Sequence, residues 1–101
     1  MTITYGPASD DFIVELNGEF DESVARGVRD TLDTLIDNFN FKRLIIEMTN
    51  VSFLDSTGIG VVLGRFKKLR QMGRTLCVKN VNKQVDKVFS TCGLYEVVSK
   101  L

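Results

Sequence analysis

Asp55-Ser56-Thr57-Gly58 is the stretch whose residue types and spacing suggest chemistry. A serine can be a nucleophile, but the nucleophile elbow requires Gly-x-Ser-x-Gly and a histidine partner. Both are missing, and the chain contains no histidine at all. A phosphate-binding loop would need the Walker spacing and its lysine. Gly58-x-Gly60-x-x-x-Gly64 has neither, and its third glycine falls one position late for a dinucleotide fingerprint. The lack of histidine also removes Cys-His nucleophiles and the usual His-containing zinc sites. No convergent set of carboxylates, lysine and tyrosine replaces them, so we read the chain as no enzyme. A helix N-terminus, however, favours negative charge, including charge placed covalently on a serine. A phosphate on Ser56 would add about −1.5 to −2 charge units beside Asp55. The helix dipole offsets part of that repulsion, so Ser56 is a candidate switch that alters binding without unfolding the domain.

The element that must present Ser56 begins there. Val51-Ser52-Phe53-Leu54 is apolar, the chain turns at Asp55 and Ser56, and helical spacing continues through Phe66, Leu69 and Met72. A small hydroxyl residue at such a junction is a natural N-cap. At 3.6 residues per turn, Ile59, Val62, Leu63, Phe66 and Leu69 share one face. Ser56, Gly60, Gly64, Lys67 and Gln71 share the other. Each internal glycine costs about 0.8–1 kcal/mol relative to alanine. The two either let a neighbouring loop pass close or form a flat platform on which a partner approaches Ser56.

Around this helix the pattern alternates strand and helix. Thr2 to Tyr5 reads as an edge strand with a turn at Gly6-Pro7, forming a hairpin with the strand Phe12 to Leu16. Phe12, Val14 and Leu16 lie on one face of it, and Gly18-Glu19-Phe20 leads out. Asp21 starts a helix, with Glu22 in its positive first turn and Val24, Val28, Leu32, Leu35 and Phe39 as its stripe. Arg26, Arg29, Asp30, Asp33 and Asp37 read as a solvated charged face. Arg43 to Met48 is apolar with little alternation, as in a strand covered on both faces, and Thr49-Asn50 turns. Gly73 suits the position just past the central helix, and Thr75 to Lys79 is a strand. Asn82 caps a third helix with the stripe Val85, Val88, Phe89 and Cys92, ended by Gly93, before a last strand over Leu94 to Val98. The expected fold is α/β: a small mixed sheet with an antiparallel edge hairpin, parallel strands and helices packed against it. Functional groups gather beyond the carboxyl ends of such strands, where Asp21 and Asp55-Ser56 both belong.

At 101 residues the chain is read as one domain, residues 1–101, with one modest core. Thirteen basic residues balance thirteen acidic ones, which leaves no global field towards nucleic acid or an anionic membrane. No apolar run approaches the roughly 20 residues of a membrane span, and the N-terminus lacks a signal-peptide layout, so a cytoplasmic protein is expected. Cys77 and Cys92 lack metal spacing and read as buried free thiols.

Phe53-Leu54-Asp55-Ser56-Thr57-Gly58-Ile59-Gly60-Val61-Val62-Leu63-Gly64-Arg65 resembles the signature of bacterial anti-sigma factor antagonists, the STAS domain family. The resemblance extends to Leu16-Asn17-Gly18-Glu19-Phe20-Asp21 and to Val88-Phe89-Ser90-Thr91-Cys92-Gly93-Leu94, so it covers nearly the whole chain in order. The Gly64-Arg65-Phe66-Lys67 continuation is most similar to the members that act in sporulation. The resemblance implies that the unmodified protein binds an anti-sigma factor that is also a serine kinase, which frees the sigma factor. It implies that this kinase phosphorylates Ser56, which ends binding, and that a PP2C-type phosphatase restores the protein. Asp21, Asp55, Thr57, Gly58 and Gly60 would line the contact surface, with Gly64 farther along the helix. No cofactor, metal, nucleic acid or membrane partner is implied. A second reading is a STAS scaffold, or a sensor of a nucleotide or small ligand at the same helix start. Relatives of this kind continue past Gly93-Leu94 into a further helix. If that helix covers part of the sheet, the surface beneath is exposed or paired here, so the chain is expected to be a monomer or weak dimer.

Overall fold

A computed structural model describes residues 1–101. Five strands form one sheet in the order β1-β2-β3-β4-β5: β1 Thr2–Ala8, β2 Asp11–Phe20, β3 Arg43–Leu54, β4 Thr75–Lys79 and β5 Ser99–Lys100. β1 and β2 pair antiparallel, and every other pair is parallel. Between them run α1 (Glu22–Asn38), α2 (Ser56–Gln71) and α3 (Lys83–Thr91), with a short 3₁₀ turn at Leu94–Glu96. This is the small α/β fold with an antiparallel edge that the alternation predicts.

Because the parallel strands follow each other in sequence order, right-handed crossovers place all three helices on the same face. The core confirms it. Phe12, Val14 and Leu16 of β2, Leu44, Ile46 and Met48 of β3, and Leu76 and Val78 of β4 join Val28, Leu32, Ile36, Val62, Leu69, Val85 and Phe89 in one buried cluster. Ile45 and Cys77 are buried yet lie outside that cluster, on the helix-free face. There Ile13, Ile45, Cys77 and Ser99 form one cross-strand row. The adjacent row carries Asp11 and Arg43, joined by two hydrogen bonds of 3.1 and 2.7 Å. The expectation that β3 is covered on both faces is therefore wrong. Its unbroken apolar run arises because Ile45, central in the sheet, is shielded by its own cross-strand neighbours.

The strands also outlast the sequence expectations. Gly6-Pro7 does not turn: Gly6 pairs with Ile13 and Pro7 with Phe12, and the turn falls at Ser9-Asp10. An edge strand tolerates proline because one side of it needs no N–H donor. Thr49-Asn50 does not turn either, because β2 runs on to Phe20 and pairs with β3 as far as Leu54. Two register irregularities, with Gly18 at φ 123°, absorb the mismatch, and Asn50 Nδ2 donates to Asn17 Oδ1 at 2.8 Å.

α1 is capped by Asp21, and its buried stripe includes Ala25 and Ile36, while Phe39 is its exposed cap residue. α2 ends as expected: Gly73 has φ 72°, Arg74 N donates to Leu69 O at 2.8 Å and Gly73 N to Arg70 O at 3.0 Å. Asn82 caps α3, accepting from Val85 N at 2.9 Å. Beyond Gly93 the expected strand over Leu94 to Val98 is absent. The 3₁₀ turn buries Leu94 and Val98, and Tyr95 donates to Asp86 at 2.6 Å. Cys77 is buried as expected, but Cys92 caps the end of α3 and is exposed.

Candidate functional site at the paired helix starts

β2 and β3 end side by side, with Phe20 paired to Leu54. Each is followed by an aspartate and then a helix, so Asp21 and Asp55 occupy equivalent corners. Asp21 Oδ1 accepts from Ser23 N at 3.0 Å and from the Ser23 hydroxyl. Asp55, in extended conformation, is the N-cap of α2, which corrects the expectation of a hydroxyl cap. Its Oδ1 accepts from Thr57 N at 3.0 Å, from Gly58 N at 3.2 Å and from the Thr57 hydroxyl. Aspartate wins because an ionised carboxylate accepts more strongly than a hydroxyl.

Asp55 also reaches a second helix. Its Oδ2 accepts from Glu22 N at 3.1 Å, the first residue of α1, while its own N–H donates to Phe20 O at 3.3 Å. The Thr57 hydroxyl, followed by the Gly58, Thr57 and Glu22 amides, holds the Asp55 carboxyl below the ordinary 3.8, against a desolvation effect that acts the other way. Sequence reasoning missed this bridge, because the two partners are separated by 33 positions. Two Asp-then-helix junctions after neighbouring strands were the only available signal.

Ser56 is the first residue of α2 and is exposed. Thr57, half-buried, gives its hydroxyl to Asp55. Gly60 is exposed, and a Cβ added at Gly60 or Gly64 would meet nothing within 4 Å. No loop passes over them, which removes that explanation and leaves a flat outward strip from Ser56 along α2. Gly58 is different. It is buried, and an added Cβ would lie 3.0 Å from Leu54 Cγ and 3.1 Å from Phe20 O. Its expected place in a contact surface is corrected: Gly58 is a packing residue where β2, β3 and α2 meet. The site therefore brings together Asp21, Asp55, Ser56, Thr57 and Gly60 at one end of the molecule, with Gly64 a turn farther on.

Residues 4–101 match the model of the STAS domain. The chain belongs to the STAS domain family. Relatives of this STAS domain include an anti-sigma F factor antagonist of Paenibacillus polymyxa, 34% identical over 85% of this chain and 74% of that protein. An anti-sigma-B factor antagonist of Bacillus subtilis is 31% identical over 87% of this chain and 79% of its own length. The Bacillus protein SpoIIAA in its phosphorylated form is 25% identical, with a TM-score of 0.75 over 99% of this chain and 91% of that one. The anti-sigma factor antagonist SpoIIAA in its unphosphorylated form is 26% identical, with a TM-score of 0.72 over 88% of this chain and 82% of that one.

The charged face read from α1 is also reorganised. Asp33 lies 3.0 Å from Arg65 Nε and 3.5 Å from Lys68 Nζ, and Lys68 is 3.0 Å from Asp37. Asp33 and Asp37 therefore tie α1 to α2 and are not merely solvated. No helix is long and apolar enough to cross a membrane.

Proposed function

We propose that this STAS domain is a phosphorylation-switched antagonist of an anti-sigma factor. The unmodified protein binds an anti-sigma factor with serine kinase activity and releases the sigma factor. Phosphorylation of Ser56 ends that binding, and a PP2C-type phosphatase restores it. The observation that carries the reading is Ser56 itself: an exposed residue on the first turn of a helix whose Thr57 and Gly58 amides are already satisfied by Asp55. A phosphate there gains little from those amides and projects outward, over the strip that starts at Gly60. It adds about −1.5 to −2 charge units beside Asp55 and Asp21 without entering the core. The existence of SpoIIAA in phosphorylated and unphosphorylated forms, both of similar fold, supports a modification that spares the structure.

The same geometry weighs against a nucleotide at this helix start. The Thr57 and Gly58 amides, which a phosphate group would need, are occupied by Asp55. The test is intact mass and peptide mapping after incubation with the cognate anti-sigma kinase and ATP, beside Ser56→Ala. One phosphoryl group on Ser56, absent from a mutant that still binds the kinase, is the expected result. Phosphorylation at another residue, or none by a kinase that binds, would overturn the switch.

A further inference from the structure

We propose that Asp55 is a positioning residue that locks the start of α1 to the start of α2, so that the partner meets Asp21 and Ser56 as one rigid surface. The inference rests on the proposed function for its biological meaning, but its geometry is independent of it. A single carboxylate divides its oxygens between two helices. Oδ1 serves Thr57 N, Gly58 N and the Thr57 hydroxyl in α2. Oδ2 serves Glu22 N in α1 at 3.1 Å. An ordinary cap satisfies its own helix alone.

Helix α1 already has a cap of its own in Asp21, which accepts from Ser23. Asp21 leaves the Glu22 amide unsatisfied, and no group of α1 reaches it. The Phe20 carbonyl, one residue before Asp21, meanwhile accepts from Asp55 N at 3.3 Å. The backbone on both sides of Asp21 is thus fastened to Asp55. Elsewhere α1 and α2 are joined at Asp33, Asp37, Arg65 and Lys68, two turns or more from this end. Asp55 is the polar tie at the end that carries Ser56. Since its oxygens are taken up within the chain, Asp55 acts on a partner through the residues it places.

Asp55→Asn separates the two arms. Asparagine is a good N-cap, so its remaining oxygen keeps Thr57 and Gly58, and Ser56 stays in place. The amide nitrogen that replaces Oδ2 can only donate, and Glu22 N–H also donates. The α1 arm alone is cut. Amide hydrogen exchange followed by NMR should show protection at Glu22 reduced about tenfold or more, with Thr57 and Gly58 near wild type. Asp55→Ala, the second variant, should lose protection at all three. In steady-state phosphorylation of Ser56 by the cognate anti-sigma kinase, Asp55→Asn should raise KM about tenfold with little change in kcat. Asp55→Ala should lower kcat as well, because the turn bearing Ser56 frays.

A residue that only caps α2 would be rescued by asparagine in both assays. Unchanged Glu22 protection in Asp55→Asn, or a wild-type KM, overturns the proposal. A wild-type chain that no kinase modifies sinks the functional reading instead, while loss of Glu22 protection in Asp55→Asn would still establish the clamp.

Discussion

At Gly58 an added methyl group would press against the Leu54 side chain and the Phe20 carbonyl, whereas at Gly60 it would meet only solvent. The same substitution should therefore act in opposite directions two residues apart. Gly58→Ala should destabilise by about 1–3 kcal/mol, because the backbone oxygen of Phe20 cannot move aside cheaply. Gly60→Ala should stabilise by about 0.5–1 kcal/mol, since it removes a glycine from an exposed helix interior. Urea unfolding of both variants measures the two signs, and equal shifts would contradict the packing at Gly58. Enlarging Gly60 further, as in Gly60→Phe, should leave the fold intact and weaken kinase binding, read by calorimetry. The pH dependence at this site has a fixed sign. The folded Asp55 carboxyl lies below its ordinary 3.8, so its contribution is fully present above that value. It is lost as pH falls through the lower folded value. Acid titration should accordingly loosen Glu22, Thr57 and Gly58 together, and NMR amide exchange between pH 5 and the acid transition would show it.

At the scale of elements, what the sequence disclosed was what depends on local patterning. The buried faces of β2 and α1, the Asp21 and Asn82 caps and the Gly73 stop are all set by residues within a turn of one another. What it hid was set by distant neighbours. Thr49-Asn50 looks like a turn because its residues favour one, but pairing of Asn50 with Asn17, and of the next residue Val51 with Gly18, keeps it extended. Asp33 and Asp37 look solvated because Arg65 and Lys68 lie on another helix. That cluster supplies a prediction. Arg65 is only 13% exposed at its side chain, so Asp33→Ala would strand a largely desolvated guanidinium. We expect a loss of about 1–3 kcal/mol. Lys68→Ala, whose partly exposed ammonium can return to water, should cost well under half of that. Thermal denaturation of the two variants tests the order, and a reversal would show that Arg65 finds another partner.

The molecule as a whole is one-sided: helices cover one face of the sheet, and the other face is protected at its centre by its own strands. Cys77 lies at that centre, on β4, and is 3% exposed, while Cys92 is exposed beyond α3. A thiol reagent should thus label Cys92 at once and Cys77 only after an opening event. The fold indicates which event. The outer neighbour of β4 is β5, only two residues long and paired to Cys77 through Ser99. β5 is tethered by Lys100, whose ammonium lies 2.8 Å from Asp86, the carboxylate that also accepts from Tyr95. Lys100, then Tyr95, holds the Asp86 carboxyl below its ordinary value, while burial and the Asp86 bond push Tyr95 upward. Detaching this short edge exposes far less surface than unfolding, so its free energy should depend only weakly on denaturant. Labelling of Cys77 in a Cys92→Ser background should then show little dependence on urea at low concentration and should accelerate in Lys100→Ala. A steep dependence from the first addition of urea, with no effect of Lys100→Ala, would mean that Cys77 is released only by global unfolding. In that case the tie between α3 and β5 would contribute nothing to guarding the open face.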